Sequence, residues 1–183
     1  MSNLDDAEIH RIVQNVVQNI MGSVARESTQ SSGKKVVAIG ADHGGYELKE
    51  ALKSDITALG FEVSDVGTNS KDAVDYPDFA HAVAQAVSSG KAWRGIMIDG
   101  AGIGSCIVAN KVPGVRAGMA YDISSANNSR EHNDTNVLTL GAGLIGVALA
   151  KQIVKVWLTT DFAGGRHTPR VDKIMAVEKK YLK

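Results

Sequence analysis

Between residues 35 and 141 five short apolar runs recur, and a stretch of helical periodicity follows each of them. The runs read KVVAIG, FEVSDVG, RGIMID, VRAGMAY and NVLTLG; the helical stretches are 44–59, 77–89, 103–111, 123–131 and 144–158, and a last helix fits 169–182. Strands this apolar, separated by helices long enough to cross back over a sheet, predict a five-stranded parallel sheet covered on both faces, a three-layer α/β/α domain. In such folds ligands bind beyond the carboxyl ends of the strands, so the loops after the runs are where chemistry is expected.

Those loops are rich in functional side chains. After the first run comes GADHGGYELK, with Asp42 and His43 at the strand end and Gly44 and Gly45 opening a helix. The third run ends at Asp99 and is followed by Gly100, Gly102 and Gly104, with Ser105 and Cys106 just behind. Alternating glycines before a helix let backbone amides approach a ligand oxygen closely. After the fourth run, YDISSANNSREHNDTN carries Asp122, Arg130, His132, Asn133 and Asp134, and GGRHTPR adds Arg166, His167 and Arg170. The GAGLIG segment, 141–146, has the spacing of a dinucleotide-binding turn. That reading needs a further strand with an acidic residue about 20 positions on, and only one last helix follows, so the glycines are read as a tight turn and no nucleotide cofactor is expected. His81 lies on a predicted helix and is read as structural; His10 lies outside the domain.

Twenty basic residues balance twenty acidic ones, so no global field draws this chain to nucleic acid or anionic lipid, and an anion site has to be local. With Cys106 the only cysteine, an internal disulfide and a thiolate zinc cluster are both excluded, and a reducing compartment, the cytoplasm, is the expected location. No apolar run approaches the roughly 20 residues that span a bilayer. Ahead of the domain, residues 4–21 place Ile9, Ile12, Val13, Val16, Val17 and Ile20 on one helical stripe, and 22–34 have linker composition. Acidic Asp5, Asp6 and Glu8 and the interrupted apolar stretch argue against a presequence or signal peptide. One reading docks this helix on its own domain; the other offers it to a partner.

Five pieces occur in order: ADHGGYELK, DYPDFA, a GxGxGxxxxANKVPGVRA stretch, SREHNDTNVL and GGRHxxR. Together, over residues 35–183, they resemble the ribose-5-phosphate isomerase B family, which also holds the galactose-6-phosphate isomerase subunits. The resemblance implies a Rossmann-like domain, a homodimer or dimer of dimers with its sites at the dimer interface, and aldose–ketose isomerisation of a sugar phosphate with neither metal nor cofactor. It implies that His132 assists ring opening and Asn133 holds the reacting oxygens. By the same resemblance Asp42 would bind sugar hydroxyls, and His43, Arg166 and Arg170 would bind phosphate, a natural task for the two guanidinium groups. The loop from Gly100 to Ser105 would supply amides to the enediolate oxygen. His132 and the arginine pair are expected to serve different subunits' pockets. The N-terminal stretch is similar in pattern to the encapsulation peptides that tether enzymes to bacterial microcompartment shells; this implies a shell partner for residues 4–21 and a microcompartment lumen as an alternative location.

The chain departs from the family pattern in three respects, the first of which involves two positions. Asp99 stands where many members carry a catalytic cysteine, and Ser105 where another branch places a glutamate base. Cys106, one residue further on, points elsewhere on a helix. Asp99 is therefore the expected base, the competing reading being that it binds a hydroxyl or caps the glycine turn. Ala101 replaces a common hydroxyl residue, and Gly143 a common arginine, which leaves the identity of the sugar phosphate open. An impaired sugar-phosphate binder, or an isomerase of a different sugar phosphate, is the alternative to ribose 5-phosphate isomerisation.

Overall fold

The computed structural model describes residues 33–181, so the expected helix over 4–21 and nearly all of the 22–34 linker lie outside the described residues. The chain divides into two units, Met1–Lys34 and Lys35–Lys183, and the second carries the sheet. Strands β1 (Val36–Ala41), β2 (Glu62–Asp65), β3 (Arg94–Asp99), β4 (Ala117–Met119) and β5 (Val137–Gly141) alternate with helices. These are α1 (Tyr46–Ala58), α2 (Tyr76–Ser88), α3 (Ile103–Ala109), α4 (Ile123–Glu131) and α5 (Val147–Thr159); a 3-10 turn (Gly165–His167) then leads into α6 (Thr168–Tyr181). Every strand pair is parallel, in the order β2-β1-β3-β5-β4.

Sequence and position in the sheet agree. β3, in the middle, is buried at all six positions, and β5 at all five. A parallel strand covered on both faces has no solvent side, which is why these runs are continuously apolar. The edge strand β2 reads EVSD and is half exposed, and the other edge, β4, is only three residues long. β4 is shorter than the VRAGMAY run because side chains take its leading amides: Asn136 Oδ1 accepts from Arg116 N at 2.7 Å and Asn110 Oδ1 from Ala117 N at 2.9 Å. Short edges of this kind blunt edge-to-edge pairing.

On one face Val37, Ile39, Ile96, Ile98, Leu138 and Leu140 meet Leu52 and Ile56 of α1 and Ile153 and Trp157 of α5. On the other, Ala38, Met97 and Val137 meet Ala80, Val83 and Ala84 of α2. Each large side chain fully buried this way contributes about 1.5–3 kcal/mol. The C-terminus of α5 is closed by buried Arg94, which donates to the carbonyls of Trp157 (2.6 Å), Leu158 (3.1 Å) and Thr160 (3.2 Å) and stacks on Trp93. Burial, followed by the neighbouring charge of Arg130, lowers its pKa to about 10. The helix α5 starts at Val147, three residues later than periodicity alone places it. The amides of Leu144 and Ile145 first turn back on Gly141 O, and Gly146 then becomes the N-cap.

Candidate active site

The strand order reverses between β1 and β3, so their carboxyl ends open the crevice in which doubly wound sheets hold ligands. Asp42 follows β1, buried to 7% exposure; its Oδ1 accepts from Gly45 N at 3.0 Å, and its amide donates to Ile98 O across the crevice. Exposed His43 is tied through Nδ1 to the backbone of Val74, at 3.1 Å from its carbonyl oxygen, which leaves Nε2 outward. Asp99 closes β3 with 4% exposure and organises the loop that follows. Its Oδ1 accepts from Ala101 N (2.8 Å) and Gly102 N, and its Oδ2 from Ser105 N (3.2 Å) and Ser105 Oγ (2.5 Å). Gly102 sits at φ 78°, a conformation that favours glycine, and this brings the amides round toward the carboxylate. A Cβ on Gly104 would lie 2.5 Å from the Tyr76 ring, so Tyr76 forms a wall beside the loop.

Asp99 thus carries four donors, and three of the loop amides expected to face a ligand, those of Ala101, Gly102 and Ser105, turn inward to it. Among the described residues, the amides of Ile103 and Gly104 at the first turn of α3 have no such partner. Cys106 lies away from this centre, as its place on the helix predicts: its thiol donates toward Ala117 O at 3.6 Å, and burial raises its pKa.

A second cluster forms at the other end of the sheet. Because α4 runs antiparallel to β4, it carries residues 130–134 back to the amino ends of the strands, roughly 20 Å from Asp99 for a six-residue β3. Sequence order groups Arg130, His132, Asn133 and Asp134 with the carboxyl-end loops; of that stretch the structure keeps Asp122, the N-cap of α4, at that end. His132 caps the C-terminus of α4, and its ring stacks on His167 at 4.0 Å with 10° between the planes. Arg166 Nε donates to His167 Nε2 at 3.4 Å, and Arg170 follows in the first turn of α6. Burial, then His132, Arg166 and Arg170, lower the His167 pKa. The expectation that His132 and the arginine pair belong to different pockets is therefore corrected: within one chain they are neighbours, and the divide falls between them and the Asp42–His43–Asp99 end.

The His132–Asn133 turn is held from behind. Asp134, at φ 47°, accepts from Arg130 Nη1 at 2.9 Å and Arg116 Nη2 at 2.8 Å. Sequence reading assigns no role to Tyr76 or Asp134, although DYPDFA and EHNDTN both contain the signal. A groove of about 720 Å³ adjoins this end, between the edge strand β4 and α6, lined by Arg116, Gly118, Asn133, Ile174 and Glu178 among others. Among the described residues no group of three or more His, Cys, Asp or Glu side chains is placed to hold a metal ion, and no helix is long and apolar enough to cross a membrane.

A doubly wound α/β domain with an anion-type loop after its central strand, and a histidine–arginine cluster at the far end of the sheet, defines a class of small-ligand enzyme rather than a scaffold or a nucleic-acid reader. Residues 37–174 match the family described as Ribose/Galactose Isomerase, and the chain belongs to that family. The ribose-5-phosphate isomerase B of Escherichia coli is 45% identical over 146 residues, 80% of this chain and 98% of that one. A D-erythrulose-4-phosphate isomerase of Pectobacterium atrosepticum is 42% identical over 139 residues, 75% of this chain and 91% of that one. Among solved structures, ribose-5-phosphate isomerase B of Clostridium thermocellum superposes with a TM-score of 0.79 at 50% identity, covering 80% of this chain and 99% of the other.

Proposed function

We propose that this chain is an aldose–ketose isomerase of a phosphorylated sugar, converting ribose 5-phosphate to ribulose 5-phosphate through an enediolate. The observation that carries the reading is the pair of complementary half-sites on one domain. Asp42, Asp99 and the glycine loop suit a sugar and its enediolate; His132, Asn133, Arg166 and Arg170 suit ring opening and a phosphate. Asp99 is the base. Three backbone amides hold it in place, and release of the Ser105 hydroxyl from Oδ2 frees a lone pair for the carbon proton. The amides of Ile103 and Gly104 then face the developing oxyanion, and Asp42 Oδ2 a sugar hydroxyl.

Half-sites at opposite ends of one sheet cannot meet within a chain. A two-fold partner brings the His132 end of one copy onto the Asp99 end of the other, completing two sites per dimer. Large apolar side chains are exposed at both ends: Ile103, Ile107, Leu144 and Val147 near the loop, Ile174, Val177 and Tyr181 on α6. Patches of that kind mark protein interfaces. Phosphate would then be shared by His43 of one copy and the arginines of the other. Residues 4–21 serve as a tether to a partner such as a microcompartment shell.

A second substrate is compatible with Gly143, which leaves the space beside Gly100 free of a side chain; its amide donates to Gly100 O at 3.0 Å. The experiment is a direct one. Purified enzyme is followed by NMR with D-ribose 5-phosphate, D-erythrose 4-phosphate and hexose 6-phosphates in parallel. Ketose formation from ribose 5-phosphate supports the reading, formation from another substrate alone reassigns the sugar, and no turnover of any of them overturns it.

A further inference from the structure

Asn128 lies one helical turn before His132 and touches both His132, assigned to ring opening, and Asn133, assigned to the reacting oxygens. Its side-chain Nδ2 is 2.8 Å from His132 Nδ1. Its Oδ1 accepts from Asn133 Nδ2 at 3.4 Å, and its backbone oxygen accepts from His132 N at 3.0 Å. The order of these contacts fixes the chemistry. With the amide oxygen turned to the Asn133 NH₂, the Asn128 NH₂ faces His132 Nδ1, and an NH₂ group can only donate there. His132 Nδ1 must then be the bare, accepting nitrogen, and the ring proton sits on Nε2. His167 stacks on one face of the same ring and limits its rotation.

We infer that Asn128 is a positioning residue that fixes His132 in the Nε2–H tautomer, so that His132 presents a hydrogen-bond donor, not an acceptor, to the oxygen of a cyclic sugar phosphate. This rests on the isomerase reading above. A neutral imidazole donating to a substrate oxygen is a known electrophilic device, and triosephosphate isomerase uses one in its own enediol chemistry. The second ring nitrogen of a working histidine is set by whatever bonds the first, and here that partner comes from the same helix.

The inference separates substrates by shape. Ribose 5-phosphate closes to a furanose that has to be opened. A four-carbon aldose phosphorylated on its last oxygen has no hydroxyl left to close such a ring, so D-erythrose 4-phosphate needs no donor at a ring oxygen.

The decisive variant is Asn128→Asp, whose carboxylate only accepts and therefore draws the His132 proton to Nδ1. The primary measurement is the ¹⁵N chemical-shift pattern of His132 in the full-length protein, with the resonance assigned by comparison with His132→Gln. The parent is expected to show a protonated Nε2 and a bare Nδ1, and Asn128→Asp the reverse. A parent with Nδ1 protonated, or an Asn128→Asp protein with the parent's pattern, overturns the inference whether or not the enzyme turns over. In the kinetic arm, Asn128→Asp is expected to lower kcat for ribose 5-phosphate by about 10-fold or more and to change turnover of D-erythrose 4-phosphate far less. Equal losses on both substrates contradict the ring-oxygen role. A parent inactive on every sugar phosphate sinks the isomerase reading instead and leaves the tautomer result standing by itself.

Discussion

Ser105 Oγ donates to Asp99 Oδ2 at 2.5 Å, and the Ser105 amide reaches the same oxygen at 3.2 Å. Asp99 and the glycine loop are thereby one structural unit, and the two roles open to Asp99, base and anchor, make different demands on mutants. Asp99→Asn keeps the shape but cannot accept from four donors and cannot take a proton. If Asp99 is the base, kcat falls by about 100-fold or more, while sugar phosphate still binds. Ser105→Ala keeps the carboxylate and its three amides and stays within about 10-fold of the parent. Steady-state kinetics beside thermal melts separate the roles: an Asp99→Asn enzyme with near-parent kcat, whatever its Tm, removes Asp99 from the chemistry. Cys106→Ala leaves turnover intact, because the half-buried thiol bonds away from the loop.

The separation of Asp99 from His132 along β3 gives a second test. In a site built from two copies, Asp99→Asn and His132→Ala each disable both sites of their own dimer. Co-expressed and co-purified, the two variants form mixed dimers in which one site carries both lesions and the other carries neither. Random pairing then restores about a quarter of parental activity. A co-purified mixture as dead as its parents places both residues in one chain's pocket.

Arg166 and Arg170 are exposed and adjoin the His132–His167 stack, one in the 3-10 turn and the other in the first turn of α6. Loss of a charge-assisted contact to phosphate weakens binding by roughly 1.5–3 kcal/mol. Arg166→Ala or Arg170→Ala should therefore raise KM for the sugar phosphate by about 10-fold or more, with a smaller change in kcat. Titration with inorganic phosphate as a competitor reads the same loss. Parent-like KM and phosphate inhibition in both variants rule these residues out of the anion site.

His167 offers a pH test of stability. Burial, then the neighbouring His132, Arg166 and Arg170, lower its pKa in the folded protein, with Glu131 pulling the other way. Between the folded value and the unfolded value near 6.5, the unfolded chain binds more protons at this position. Its contribution is therefore fully present above about pH 6.5 and is lost as pH falls through the folded pKa. His167→Gln cannot titrate, so the gap in Tm between variant and parent should narrow on acidification from about pH 7.5 toward 5. A gap that is constant with pH contradicts the assignment.

The architecture was legible because β3 and β5 are buried on both faces, which forces runs such as RGIMID and VLTL to be apolar without alternation. The loop after β3 was legible for a similar reason: only glycine adopts the backbone of Gly102 easily, and only glycine fits beneath Tyr76 at position 104. What the sequence did not reveal was which end of the sheet each motif reaches. EHNDTN follows β4 in the chain, but a nine-residue helix intervenes and delivers it to the opposite end. The inward turn of the Asp99 carboxylate was equally hidden, since the same residues at the same spacing serve a ligand facing outward or a carboxylate facing in. Tyr76 lies within DYPDFA and Asn128 just ahead of SREHNDTNVL, but their contacts with Gly104 and His132 are made by the folded chain and are not written in either motif.

Residues 1–33 carry a short apolar stripe from Ile9 to Ile20, and isolated helices of that length are marginal in water, so a partner surface is what would hold one in place. If the segment is a tether, catalysis belongs entirely to the domain from residue 35 onward. Deleting 1–33 then leaves melting temperature, dimer mass and kcat close to those of the parent. Fusing 1–33 to an inert fluorescent protein transfers recruitment to a shell assembled in the same cell, and Val16→Asp abolishes it by placing a charge in the stripe. A truncated domain that melts earlier or loses its dimer assigns the helix to the fold of its own protein. A fusion that stays diffuse beside an assembled shell removes the tether reading.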